Sequence, residues 1–172
     1  MNFTQGSSSP QLAQIYSCIQ LNPQNPFERD FDEAVFDLVD EFIQAHEDTD
    51  YIQYIIDNSA GENTHKVGCL LSILIWSTKD NGEKIQRWRG LSLDNENQRA
   101  IEIALCITDV FPMADLNACI NKLKEIALKF PQTEPLCDYW IDLAQKELLR
   151  NAGIRNRGFK EKIAAAFKKW LA

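Results

Sequence analysis

The chain has 172 residues, of which 45% are hydrophobic and 25% are charged, and its mean hydropathy is −0.32. With only 7 Gly and 6 Pro, this composition excludes a wholly disordered chain and a loop-rich all-β protein, and the length suits one globular domain. The net charge of −7 argues against general nucleic-acid binding, which needs a basic surface.

Apolar residues recur at helical spacing along most of the chain, and no segment alternates convincingly in the manner of a β-strand. Residues 1–10 are polar and Ser/Gly-rich and predict a flexible N-terminal arm, which leaves residues 11–172 as a single helical domain. Prolines, glycines and capping residues divide this domain into seven or eight predicted helices, at 11–21, 27–43, 51–58, 64–76, 94–110, 113–130, 134–152 and 159–171.

The spacing of the predicted helices bears on the architecture. Helix starts near Asp94 and Thr133 are 39 residues apart, close to the period of HEAT-type repeats. No residue-level repeat accompanies this spacing, so the sequence predicts an all-α fold that is either a bundle or a short HEAT-like helical stack. Gly153 is expected to end the helix that Thr133 begins, because glycine commonly follows the last helical turn.

Targeting and redox features favour a cytoplasmic protein. The first residues carry neither the basic region nor the apolar region of a secretory signal. The longest nearly uncharged apolar run, residues 67–76, is about half the ~20 residues that a membrane-spanning helix needs, so no transmembrane segment is expected. Widely spaced cysteines among apolar residues are typical of free thiols in a reducing compartment: Cys18, Cys69, Cys106, Cys119 and Cys137.

The sequence contains no recognisable catalytic motif. Glu62 and His65 form one Glu-x-x-His pair, whereas a di-iron bundle needs two such pairs and two further carboxylates. The other histidine, His46, does not supply the second pair, and no motif joins either histidine to a nucleophile. We therefore expect a protein that is not an enzyme and that uses no metal or cofactor. A carboxylate-based enzyme is the alternative, because long-range pairing of acids is invisible in a sequence.

Charge is distributed unevenly along the chain. Residues 28–62, the acidic segment, hold 12 acids and one base, Arg29, whereas residues 146–172 hold 8 bases and 2 acids. Acids three or four residues apart on a helix destabilise it by roughly 0.2–0.5 kcal/mol per pair. Such a cluster favours a docking surface for a basic protein, whose approach it would accelerate. The predicted protein-binding residues are Glu33, Asp37, Asp40, Glu41, Glu47, Asp48 and Asp50.

Two plainer interpretations of the acidic segment stay open, a solvated surface and pairing with the protein's own basic tail. The tail is interpreted as a helix that closes the core, with a membrane surface or a partner's groove as alternatives. A polar stretch over residues 80–90 is expected to form an aromatic-basic loop, because Asn81 and Gly82 indicate a turn. Candidate anion contacts are Arg87, Arg89, Arg155 and Arg157.

Small size, acidity and the lack of a catalytic motif favour a stoichiometric protein-binding inhibitor. The class is that of bacterial immunity proteins, which neutralise a basic toxin or nuclease domain in the cytoplasm. One alternative is a helical adaptor that binds a peptide or helix. The other is a phage-type antagonist of host defence, or the carboxylate-based enzyme.

Overall fold

The computed structural model describes residues 9–170, with side chains through residue 153. Within this range the chain forms eight α-helices and one small two-stranded sheet, which confirms the predicted all-α class. Residues 1–8 of the predicted arm lie outside the described residues. The elements are α1 Pro10–Ser17, β1 Ile19–Leu21, β2 Arg29–Phe31, α2 Ala34–Ala45, α3 Tyr51–Asn58, α4 Thr64–Ser77, α5 Glu83–Leu93, α6 Gln98–Leu105, α7 Leu116–Lys129 and α8 Glu134–Trp170.

The chain divides into two compact units, the first ending at Pro112 and the second beginning at Met113. Helix α4 lies at the centre of the first unit, as its almost uniformly apolar sequence predicts. Leu70, Leu71 and Leu74 are completely buried, and each contributes about 1.5–3 kcal/mol through loss of contact with water. Helices α1, α2, α3, α5 and α6 all pack on α4, so the core fixes the position of every helix in this unit.

Residues 19–31 form a β-hairpin, whereas the sequence predicted the end of one helix and the start of the next. Strands β1 and β2 pair in antiparallel register over three residues each. In the connecting turn, the side-chain amides of Asn22 and Asn25 donate to the Glu28 carboxylate at 2.9 and 3.1 Å. Local side-chain hydrogen bonds of this kind stabilise turns at the expense of helix. Helix α2 therefore starts only at Ala34.

The turn predicted at Asn81 and Gly82 is confirmed, and it leads directly into helix α5. The two residues have φ values of 49° and 75°, in the left-handed region that Asn and Gly adopt most readily. Gly82 is also required by space, because a Cβ at this position would lie 2.8 Å from the Ile75 side chain. The turn thus fixes α5 against the end of α4.

Helix α5 replaces most of the loop predicted over residues 80–90. Arg89 is one of the buried residues of α5. A hydrophobic residue at this position would have completed the apolar spacing by which a helix is recognised in a sequence. The following helix, α6, is capped by Asn97. The predicted helix start near Asp94 is wrong, because Asp94 is the C-cap of α5.

The second unit is a helical hairpin in which α7 packs against α8 through a short 3₁₀ turn. Asp115 caps α7 by accepting hydrogen bonds from two backbone N–H groups. Helix α8 runs for 37 residues without a break, so the predicted end at Gly153 and the separate helix over residues 159–171 are wrong. The helix contains two glycines, Gly153 and Gly158, and each costs only about 1 kcal/mol relative to alanine, which a long helix tolerates.

Candidate functional site

All seven acidic residues predicted to bind a partner are exposed, and all belong to the first unit. Four lie on α2 or immediately before it, and three lie in the loop between α2 and α3. At 3.6 residues per turn, those on α2 fall within less than half of the helix circumference. Together they form the acidic surface: Glu33, Asp37, Asp40, Glu41, Glu47, Asp48 and Asp50.

Two members of the acidic surface are engaged within the protein. Asp50 caps α3, because its carboxylate accepts a hydrogen bond from a backbone N–H of the first turn. Glu47 pairs with Lys79 at 2.8 Å, and this hydrogen bond holds the pKa of Glu47 below its ordinary value. Both side chains are mostly in water, so the pair contributes little to stability.

The other five carboxylates of the acidic surface have no such partner. Within the part of the chain whose side chains are described, no side-chain hydrogen bond or ion pair is made by Glu33, Asp37, Asp40, Glu41 or Asp48. On α2, Asp37 lies three residues before Asp40 and four before Glu41, a spacing at which like charges repel across the helix surface. A basic partner placed against them would relieve this repulsion.

A groove lined by aromatic residues lies beside the acidic surface, and the sequence did not predict it. It has a volume of about 600 Å³ and is formed by residues of β2, α2 and the end of α4. Two of its side chains are largely exposed, Phe36 by 51% and Trp76 by 74%. Phe36 packs edge-on against Phe31, with ring centroids 6.3 Å apart. The aromatic groove is defined by Phe27, Phe31, Phe36, Ile73 and Trp76.

One sequence signal could have revealed the groove. Phe36 lies off the buried stripe of α2, which is formed by Val35, Val39 and Phe42. It instead shares the exposed side of the helix with Asp40, four residues further on. An aromatic residue among exposed acids indicates an interaction surface, since burial of a large apolar side chain against a partner is energetically favourable.

Arg29, the one base of the acidic segment, lies in the wall of the aromatic groove. Its guanidinium donates hydrogen bonds to the hydroxyls of Ser72, at 3.4 Å, and Thr108, and it pairs with Asp109 at 3.4 Å. The guanidinium carbon also lies 6.0 Å from the centre of the Phe31 ring, within cation–π range. These contacts connect β2 to α4 and to the segment after α6.

A second cavity of about 500 Å³ shares Ser77 with the aromatic groove. Tyr51 lines this cavity, and burial raises the pKa of its hydroxyl to about 12, so the group is neutral at physiological pH. A neutral phenol beside charges of both signs can donate a hydrogen bond but is not a strong base. The charged residues that line the cavity are Asp40, Glu47, Asp80, Lys79 and Lys84.

Arg89 lies in the protein interior and not at an anion-binding surface. Its side chain is completely buried, and its three nitrogen atoms donate to the carbonyl oxygens of Ala104, Ile107 and Val110 at 2.8, 2.6 and 2.7 Å. These carbonyls lie at and beyond the end of α6, where the helix dipole favours a cation. The predicted anion contact at Arg89 is therefore wrong, because its donors are engaged by the backbone.

The other candidate anion contacts are placed differently. Arg87 is exposed on α5 and lies 3.9 Å from Glu83, one turn earlier on the same helix. The side chains of Arg155 and Arg157 lie outside the described side chains. Among the described side chains, Arg87 and Arg89 do not form a common site, because Arg87 is exposed and Arg89 is buried.

His65 and Cys106 are in contact, with Nδ1 3.1 Å from Sγ, although no sequence motif joined them. Cys106 is 3% exposed, and burial raises the pKa of its thiol to about 12. Burial, with a smaller contribution from Arg29, lowers the pKa of His65. A catalytic cysteine needs a low pKa and access to solvent, and this pair offers neither. Nowhere among the described residues do three His, Cys, Asp or Glu side chains group to hold a metal ion.

The thiols provide a test of the packing. All five cysteines are free, and Cys18 is half-buried while the other four are buried. We expect a chromogenic disulfide reagent to modify Cys18 rapidly in the native protein and the remaining thiols only as fast as the protein unfolds, because the thiolate and access are both needed. A Cys18→Ser variant should lack the rapid phase. Two or more rapidly modified thiols in the native protein would contradict the burial described for Cys69, Cys106, Cys119 and Cys137.

No protein-family model matches the chain, and no match was found among curated proteins or among solved structures. No helix in the described part of the chain is both long enough and apolar enough to cross a membrane. The chain is thus a two-unit all-α protein whose first unit carries the acidic surface and the aromatic groove.

Proposed function

We propose that this protein is a stoichiometric inhibitor that binds a basic protein through the acidic surface, in the manner of a bacterial immunity protein. The partner would be a toxin or nuclease domain in the cytoplasm. The observation that carries the proposal is the set of exposed carboxylates on α2 and its loop that have no partner among the described residues.

The charge of the first unit supports this proposal. Up to Pro112 the chain holds 18 acidic and 7 basic residues, a net charge of −11, whereas from Met113 it holds 7 acidic and 11 basic residues, a net charge of +4. At least four of the seven bases donate hydrogen bonds to groups of the unit itself, namely Arg29, Lys66, Arg89 and Arg99. A field of this sign steers basic proteins toward the surface and disfavours nucleic acids.

A nuclease or similar toxin suits the acidic surface for a chemical reason. Such enzymes hold phosphate groups with lysine and arginine side chains. A row of carboxylates on a rigid helix can pair with the same cations and cover them. A single inhibitor molecule would then occlude the substrate cleft of one enzyme molecule.

The test uses the full chain and a partner captured from native cells, identified by mass spectrometry and purified. We expect Asp37→Lys combined with Glu41→Lys to slow association with this partner about tenfold or more at low salt, because steering depends on opposite charge. The difference should shrink at high salt, where the charges are screened. Stopped-flow mixing at several salt concentrations measures the rates, and titration of the partner's activity should reach its end point at one equivalent.

A matched variant controls for net charge. Glu125→Lys combined with Asp138→Lys makes the same change in net charge at exposed positions of the second unit, and it should leave the association rate near that of the parent. Circular dichroism establishes that both variants are folded. Equal slowing by the two variants, or no slowing by the first, would overturn the assignment of the acidic surface.

The aromatic groove favours a second candidate, a helical adaptor that binds a peptide or helix. Binding driven by apolar contact depends little on salt, whereas binding driven by the acidic surface weakens as salt rises. The slope of affinity against salt concentration therefore separates the two candidates.

A further inference from the structure

We infer that the aromatic groove receives one large apolar side chain, aromatic or leucine-like, from a lysine- or arginine-rich segment of the partner. The inference rests on the proposed function and deepens it, because it assigns different tasks to two neighbouring surfaces. The acidic surface attracts the basic segment, and the aromatic groove holds it once it has arrived.

The apolar part of the inference comes from exposure and shape. Phe36 and Trp76 leave much of their ring surface in water, and they flank a concave space of about 600 Å³. Aromatic side chains supply large, rigid contact areas and are enriched among the residues that dominate protein interfaces. A concave site of this size, lined mainly by apolar groups with a few polar ones, is typical of a binding pocket.

The basic part of the inference comes from the carboxylates around the groove. Glu28 and Asp109 line it directly. Phe36 shares its side of α2 with Glu33 and Asp40, which lie three residues before it and four residues after it. A segment that enters the groove therefore meets carboxylates near its apolar anchor, and lysine or arginine close to the anchor would complement them.

The same charges disfavour a second copy of this chain as the occupant. Two copies that met at this surface would bring two acidic segments together, each with 12 acids and one base. Like charges placed across an interface oppose association. An anionic ligand is disfavoured for the same reason.

The experiment selects peptides from a displayed library of short random sequences, with the full chain as bait. We expect the enriched peptides to carry Trp, Phe, Leu or Ile within a few residues of two or more Lys or Arg. For a synthetic peptide of the best sequence, Trp76→Ala should weaken binding about 30-fold, mostly through faster dissociation, as for a residue at the centre of an interface. Leu128→Ala and Leu149→Ala, at equally exposed leucines of the second unit, should leave binding unchanged.

Several results would overturn the inference. These are an absence of enriched peptides, enriched peptides without basic residues, and peptides whose affinity Trp76→Ala leaves unchanged. Sedimentation that reveals a dimer of the parent chain, lost in Trp76→Ala, would identify a second copy as the occupant and would also overturn it.

Failure of this inference is distinguishable from failure of the proposed function. With the captured partner, Asp37→Lys combined with Glu41→Lys tests the association rate, whereas Trp76→Ala tests the dissociation rate. An unchanged dissociation rate with Trp76→Ala argues against the groove, whatever the acidic surface does. An unchanged association rate with the charge variant argues against the acidic surface, while the peptide measurements still report on the groove.

Discussion

Replacing Arg89 with leucine is expected to lower the free energy of unfolding by about 3–5 kcal/mol. The guanidinium is completely buried and donates to three backbone carbonyl oxygens at and beyond the end of α6. Leucine fills part of the volume but donates nothing, and each buried carbonyl that loses its partner costs roughly 1–3 kcal/mol before the structure relaxes. Urea denaturation followed by circular dichroism measures the change.

Two further variants test whether the loss of stability comes from the hydrogen bonds of Arg89. Arg87→Leu alters an exposed arginine on the same helix and should change stability by about 0.5 kcal/mol or less. Arg89→Lys keeps the charge but offers one nitrogen in place of three, so its loss of stability should be intermediate, and it remains measurable if Arg89→Leu does not fold. Equal effects of Arg89→Leu and Arg87→Leu would show that the three hydrogen bonds do not stabilise the fold as described.

Gly68→Ala is expected to destabilise the protein by about 3 kcal/mol, because it overfills a close contact between α4 and α6. A Cβ at Gly68 would lie 2.4 Å from the Cβ of Cys106 and 2.7 Å from its carbonyl carbon. A backbone atom cannot rotate away as a side chain does, so the helix itself would have to move. Thermal unfolding of the variant measures the cost.

Gly90→Ala is the matched control for this substitution. Gly90 also lies within a helix, but a Cβ there meets no atom within 4 Å. Its replacement should stabilise the protein by up to about 1 kcal/mol, because alanine has the higher helix propensity. Parallel losses of stability in the two variants would contradict the close approach at Gly68.

Local patterns in the sequence located the starts of two helices at which a capping residue precedes an apolar run. Helices α3 and α4 begin at Tyr51 and Thr64, as predicted, and the structure identifies their caps as Asp50 and Asn63. The hairpin over residues 19–31 was missed because its turn is stabilised by side-chain hydrogen bonds from Asn22 and Asn25 to Glu28. Such hydrogen bonds favour a turn over a helix, whereas the helix was predicted from the spacing of apolar residues. Helix α5 was missed because its central buried residue is an arginine.

The candidate site could also be predicted only in part. Exposure of the acidic surface follows from the residue types alone, since unpaired carboxylates are rarely buried. The aromatic groove brings Phe31 and Phe36 together with Trp76, which lies on α4, two helices further along the chain than Phe36. Trp76 ends an apolar run, and nothing local in the sequence shows that its ring is exposed beside these two residues.

The position of Arg29 bears on how the proposed basic segment would align in the aromatic groove. Its guanidinium lies in the wall of the groove, held by Ser72, Thr108 and Asp109, whereas the unpaired carboxylates lie outside the groove on α2. A lysine or arginine placed next to the Arg29 guanidinium would meet a like charge, so the proposed basic segment is best aligned with its apolar residue there and its cations nearer the carboxylates of α2. One partly buried cation would then influence the alignment of a partner that the many carboxylates attract in any alignment.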